Sequence, residues 1–163
     1  MSNKDLNELI HRSNKQTTLA TGTIDITKNT GQLQLPDPKR HDFEKHMGND
    51  FFETTWIARR VGVDSQTYNY QAIVITFKDK CLDGPLQVSN FGDVTVTWAL
   101  VINNIIRSWH AESGTLNLTS NRTLGQERIH GDFKDCEMVN QHDTTQRFFM
   151  AGTYDLKDVS IIT

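Results

Sequence analysis

Apolar and polar residues alternate in short runs along most of the chain, and from Asp50 onward the alternation is almost continuous. A period of two sends successive side chains to opposite faces, so each run reads as a β-strand with one dry and one wet side. The runs are Gly22–Thr27, Gln32–Leu35, Phe51–Arg60, Tyr68–Lys78, Leu86–Ser89, Val94–Asn103, Arg107–Glu112, Thr115–Thr119, Arg128–Val139 and Gln146–Leu156. Turn-forming clusters separate them, among them Lys28–Gly31, Gly62–Gln66, Lys80–Pro85, Asn90–Gly92, Ser120–Gly125 and Asn140–Thr144. The pattern predicts an all-β protein: an antiparallel β-sandwich or flattened β-barrel of about nine to eleven strands, with a short N-terminal helix.

Six of the ten glycines open one phrase, glycine-x-apolar-x-apolar: Gly22, Gly31, Gly84, Gly92, Gly114 and Gly152. Gly131 begins the same phrase, which breaks at Asp135, where an acid takes the place of an apolar residue. The spacing is irregular, which argues against a solenoid or propeller and for repeated hairpin grammar.

Two stretches depart from the alternation. In residues 3–15, Leu6, Leu9 and Ile10 fall on one helical face, with Ser2 or Asn3 available as a cap and Asp5 and Glu8 in the first turns. The expected organisation is an N-terminal helix and polar linker over residues 1–18, followed by a single β-domain over 19–163. Pro36-Asp37-Pro38 then interrupts the strands, and residues 36–50 read as a long charged loop or a loop with a short helix near Asp42–Met47. Within Val94–Ile102 the even positions are all apolar, while the odd ones pass from Thr95 and Thr97 to Ala99 and Val101. That strand is expected to run under a covering element, for which the N-terminal helix is the candidate.

Charge narrows the function classes. The net charge is −3, and Gln126–Asp158 carries seven acidic against four basic residues, so no clustered cations mark a nucleic-acid surface. No apolar run approaches the ~20 residues of a membrane-spanning helix, and Met1–Leu6 does not resemble a secretory signal. A cytoplasmic protein is the expectation. Cys81 and Cys136 read as reduced, partly buried thiols; no C-x-x-C or Cys-His spacing suggests zinc, and no metal or cofactor is expected.

Candidate chemistry falls in four places. In Lys39–His46, a helix would set Asp42 and His46 on one face, with His41 and Glu44 nearby, a beginning of a metal or imidazole-orienting site; a solvated charged loop is the simpler reading. Trp56 and Arg60 share one face of a strand, with Tyr68 and Tyr70 expected near Trp56 across a hairpin, an arrangement that suits stacking or anion recognition and equally an ordinary core. His110 and Glu112 share a strand face with Ser108, opposite Trp109. Side chains two apart on a strand stand about 7 Å from each other, too far for the direct hydrogen bonds of a nucleophile triad, so a half-exposed surface strand is expected. Asp135 is the fourth candidate, at its break in the glycine phrase; no calcium-loop spacing surrounds it, and no phosphate-binding glycine loop occurs in the chain.

These readings favour a non-enzymatic binding or protein-interaction domain whose partner is a protein or a small molecule. Nucleic acid is excluded, a membrane is disfavoured, and a homodimer through an edge strand or the N-terminal helix stays open. The first rival is an enzyme, hydrolase-like or metal-dependent, with His41, His46, His110 and nearby carboxylates meeting in a barrel mouth or cleft. The second is a lipid- or membrane-binding β-protein, whose mark would be exposed Trp56, Trp98 and Trp109.

Overall fold

The structure, a computed structural model, describes residues 18–30, 40–47, 53–61, 70–78, 81–102, 105–123 and 126–158. They form nine strands: β1 (Thr18–Asn29), β2 (Arg40–Met47), β3 (Glu53–Val61), β4 (Tyr70–Lys78), β5 (Gly84–Gln87), β6 (Val94–Ile102), β7 (Ile105–Asn121), β8 (Arg128–Asn140) and β9 (Arg147–Asp158). All named strand pairs are antiparallel. The described residues are therefore all-β, as the alternation predicts. The expected N-terminal helix, the strand Gln32–Leu35 and Tyr68 lie outside the described residues.

Seven strands, β1 and β4 to β9, make one antiparallel sheet that does not close on itself. β2 and β3, described by their backbone and its register, stand between β1 and β4 in the strand order β5-β7-β6-β4-β3-β2-β1-β9-β8. Because β7 pairs with β8 as well as with β6, those two ladders carry the hydrogen-bonded order round from β4 to β1.

Alternation places the core. Ile73, Ile75 and Phe77 of β4 join Val94, Val96, Trp98 and Leu100 of β6 in one apolar cluster. Trp109, Leu116 and Leu118 of β7, Phe133, Cys136 and Met138 of β8, and Phe148, Met150, Tyr154 and Leu156 of β9 complete its far side. Trp98, Trp109 and Phe148 meet ring to ring, with centroids 4.9 Å apart for the two indoles and 5.2 and 6.1 Å from each to the phenyl. Cys81 and Cys136 are both buried.

Four elements differ from the sequence reading. Arg40–Met47 is a strand, where a charged loop or short helix is expected; its ladders to β1 and β3 supply the order that its own composition does not. Lys28 and Asn29 belong to β1 and pair with Ala151 and Met150, where the sequence suggests a hairpin turn. β5 begins two residues before its expected start. β7 runs unbroken through Ser113-Gly114, where two strands and a turn are expected.

The reason for that last difference is a matched irregularity. Trp109 and Ala111 face the core from odd positions, Leu116 and Leu118 from even ones. On β8 the same change occurs between Phe133 and Cys136. From the pair Ala111–Met138 to the pair Leu116–Phe133, each strand spends five residues, an odd number, so both turn over in step. Against β9 the extra residue sits on β8, between the pairs Phe133–Gly152 and Cys136–Met150. Asp135 occupies this bulge at φ 50°, exposed, and Cys136 takes the inward place. Opposite, Gly114 lets β7 pass directly over Cys136, whose Sγ would lie 2.7 Å from any Cβ at that position.

Candidate functional site

Register brings six of the candidate residues onto two neighbouring strands. His41 pairs with Arg60, Asp42 with Arg59, Glu44 with Ile57, Lys45 with Trp56 and His46 with Thr55, so the charged stretch and the aromatic-arginine stretch form one ladder. Trp56 stands opposite Ile75 on its other side, and Tyr70 pairs with Val61 rather than approaching Trp56.

His110 lies elsewhere. β3, β4 and β6 stand between its strand and β2, about 19 Å along the sheet at ordinary strand spacing. One register row does join the two regions: Glu44, Ile57, Val74, Thr97, His110, Val139 and Arg147 are successive Cα partners across seven strands.

From Val74 to Arg147 this row runs along the side of the sheet away from the apolar cluster, yet its middle is dry. Val74, Thr97, His110 and Val139 are at most 5% exposed, as are Thr76, Ala99 and Ser108 on the same side. The half-exposed surface strand expected for Ser108–Glu112 is thus buried on both faces as far as Ala111. Ser108 Oγ donates to Gln141 Oε1 at 3.2 Å, and Thr97 Oγ1 meets His110 Nδ1 at 2.9 Å. Nε2 of His110 is buried with no hydrogen-bond partner among the described residues. Burial holds the imidazole's pKa below its ordinary value, against a smaller opposing influence of the Gln141 side chain.

Beside this band, the turn between β8 and β9 is closely tied. Asn140 Oδ1 accepts from the backbone N–H groups of His142 and Asp143, and Asp143 Oδ1 accepts from Thr145. Those bonds hold the Asp143 carboxyl below its usual pKa. Glu112 lies outside the dry band, exposed, and shares Arg147 with Glu137 at 3.2 and 3.0 Å. Ser108, His110 and Glu112 therefore each have different partners.

The opposite end of the sheet carries a feature that the sequence reading missed. Leu82 is 77% exposed and Phe91 87%. Their backbone is held firmly. Asp93 O accepts from Lys78 N at 2.9 Å and from Cys81 Sγ at 3.4 Å, and Cys81 O accepts from Arg122. Asp83 accepts from Ser120 N and Oγ, bonds that lower its pKa. Ser89 N bonds Val94 O at 3.2 Å, closing the turn that carries Phe91. Two large apolar side chains thus project from one end on anchored turns. A large apolar residue inside each turn cluster, Leu82 in one and Phe91 in the other, was the available signal.

Among the described residues no group of three or more His, Cys, Asp or Glu is placed to hold a metal ion, and no helix is long and apolar enough to cross a membrane. Trp98 and Trp109 are buried rather than displayed. Compared with protein-family models, curated proteins and solved structures, the chain matches none.

Proposed function

We propose that this protein is a non-catalytic binding domain that engages a protein partner through the apolar tip formed by Leu82 and Phe91. The observation that supports this reading is their exposure on turns fixed by hydrogen bonds to β4, β6 and β7. An apolar side chain that stays in water gains nothing for the fold, and aromatic anchors are enriched at interface centres. A tip whose backbone is already ordered also loses little entropy on association. Asp83, Asp93 and Lys78 around the tip supply the polar rim that such contacts usually have.

The test compares wild type with a Leu82→Ser/Phe91→Ser variant. Both residues are exposed, so the change in stability should stay within about 0.5 kcal/mol. Each protein is immobilised at equal density and challenged with native extract, and a retained partner is then titrated in purified form. Saturable binding to wild type that falls at least about tenfold in the variant supports the tip, since 1.4 kcal/mol is the least an anchor pair should contribute. Equal affinity of the two proteins for that partner removes the assignment.

A further inference from the structure

The dry band on the outer side of β4, β6 and β7 needs a cover, and none of the nine strands supplies a layer there, because all of them belong to one sheet. The band has Ala99 at 0% and Val74 at 1% exposure, framed by Thr76, Thr97, Ser108 and His110. Small and β-branched side chains of this kind leave a shallow, smooth surface, the sort on which a helix seats its apolar stripe.

We infer that the chain's own N-terminal segment, residues 1–17, docks on this band, with the stripe of Leu6, Leu9 and Ile10 against Val74 and Ala99 on the adjacent strands β4 and β6. Three observations select this occupant. The segment is the longest run outside the described residues, and it leads straight into β1 at Thr18. A helix over residues 3–15 would be about 20 Å long, enough to cross β4, β6, β7 and β8 at ~4.8 Å per strand. Its apolar positions recur at three and four residues, the spacing of one helical face. Leu19 stands in one register row with Glu44, Ile57 and Val74, so the start of β1 is level with the band and three strands, about 14 Å, from β4. From Ile10 to Thr18 the rest of the helix and three extended residues reach about 18 Å. The docking is independent of the Leu82–Phe91 tip at the end of the sheet, and its test reads a different residue.

The experiment uses the full chain and follows His110, whose neutral imidazole reacts with diethylpyrocarbonate once solvent reaches Nε2. Peptide mass spectrometry gives its modification rate in wild type and in a Leu6→Ser/Leu9→Ser/Ile10→Ser variant. In parallel, Leu9 is replaced by the photo-crosslinker p-benzoylphenylalanine, which keeps the position apolar. The expected result is slow modification of His110 in wild type, a rise of roughly tenfold or more in the triple variant, and crosslinks within one chain from position 9 to peptides of β4, β6 or β7. An unchanged His110 rate overturns the inference, as do crosslinks that map elsewhere or join two chains. Should the triple variant fail to fold, the crosslink map alone decides.

Discussion

Gly131 and Tyr154 stand opposite each other across β8 and β9, and the tyrosine hydroxyl donates to the Asn117 carbonyl of β7 at 2.7 Å. A Cβ at Gly131 would lie 1.9 Å from that same carbonyl oxygen and 3.1 Å from the hydroxyl, and φ there is +155°. One residue without a side chain thus lets a ring on β9 reach a backbone acceptor two strands away. Phe133 and Gly152 repeat the pairing in reverse on the next row.

Gly131→Ala should therefore destabilise the fold by about 2–4 kcal/mol, through backbone collision and strain together. Tyr154→Phe keeps the ring and loses only the hydrogen bond, so about 1 kcal/mol is expected. Urea unfolding of both variants checks the order; equal losses would mean that the ring, not the space beneath it, governs this site.

At the bulge, Asp135→Val should cost about 1–2 kcal/mol, because a β-branched residue tolerates φ 50° poorly. Asp135→Gly should be neutral or stabilising by up to about 1 kcal/mol. Thermal melts of the pair distinguish a backbone role for Asp135 from a charge role, since both substitutions remove the carboxylate.

The fold should weaken in alkali. Burial, with the Asp135 charge adding to it, pushes the Cys136 thiol from its ordinary 9.0 up to about 12. Burial likewise raises Tyr154, with Asp132 and Asp83 adding to it. Folded groups that hold their protons while the unfolded chain releases them favour unfolding as pH rises. Stability should be full below pH 9.0 and fall between there and about 12, and Cys136→Ala should flatten that fall. Denaturant midpoints across this range provide the measurement.

On the acid side His110 behaves oppositely. Its pKa is lowered from 6.5, so the unfolded chain takes up a proton that the folded one refuses, and stability drops as pH falls below 6.5. His110→Gln should lessen the drop between pH 7 and 5, where the lowered Asp83, Asp143 and Asp155 carboxylates do not yet titrate. An identical drop in wild type and variant would assign it to other groups.

The aromatic cluster is the most sensitive part of the core. Phe148→Ala should cost about 3–5 kcal/mol, as large-to-small changes in packed interiors do. Trp109→Phe should also remove the exciton signal expected of two indoles 4.9 Å apart in circular dichroism.

Much of the fold was legible because β4, β6, β8 and β9 place apolar residues at alternate positions. β6 even announced its two-sided burial, since Ala99 follows Thr97 on the outer side. β2 was not legible: of Arg40–Met47 only Phe43 and Met47 are apolar, and its strand arises from its neighbours. Polar residues in alternation read as wet, so nothing in Ser108, His110 or Thr97 foretold a dry outer face. The Leu82–Phe91 tip was passed over for the opposite reason, because turn residues are taken as solvent-facing by default. The break at Asp135 was visible, and its backbone cause required the register of β9.

The paired steps in β7 and β8 also constrain how this chain can vary. Deleting Asp135 alone would restore plain alternation along β8 but leave β7 with a surplus residue between Ala111 and Leu116. Deleting one residue there alone would strand β8 in the same way. Only the double deletion returns both strands to an uninterrupted weave. The two irregularities are thus one heritable unit, and in any lineage of this protein they should be gained or lost together.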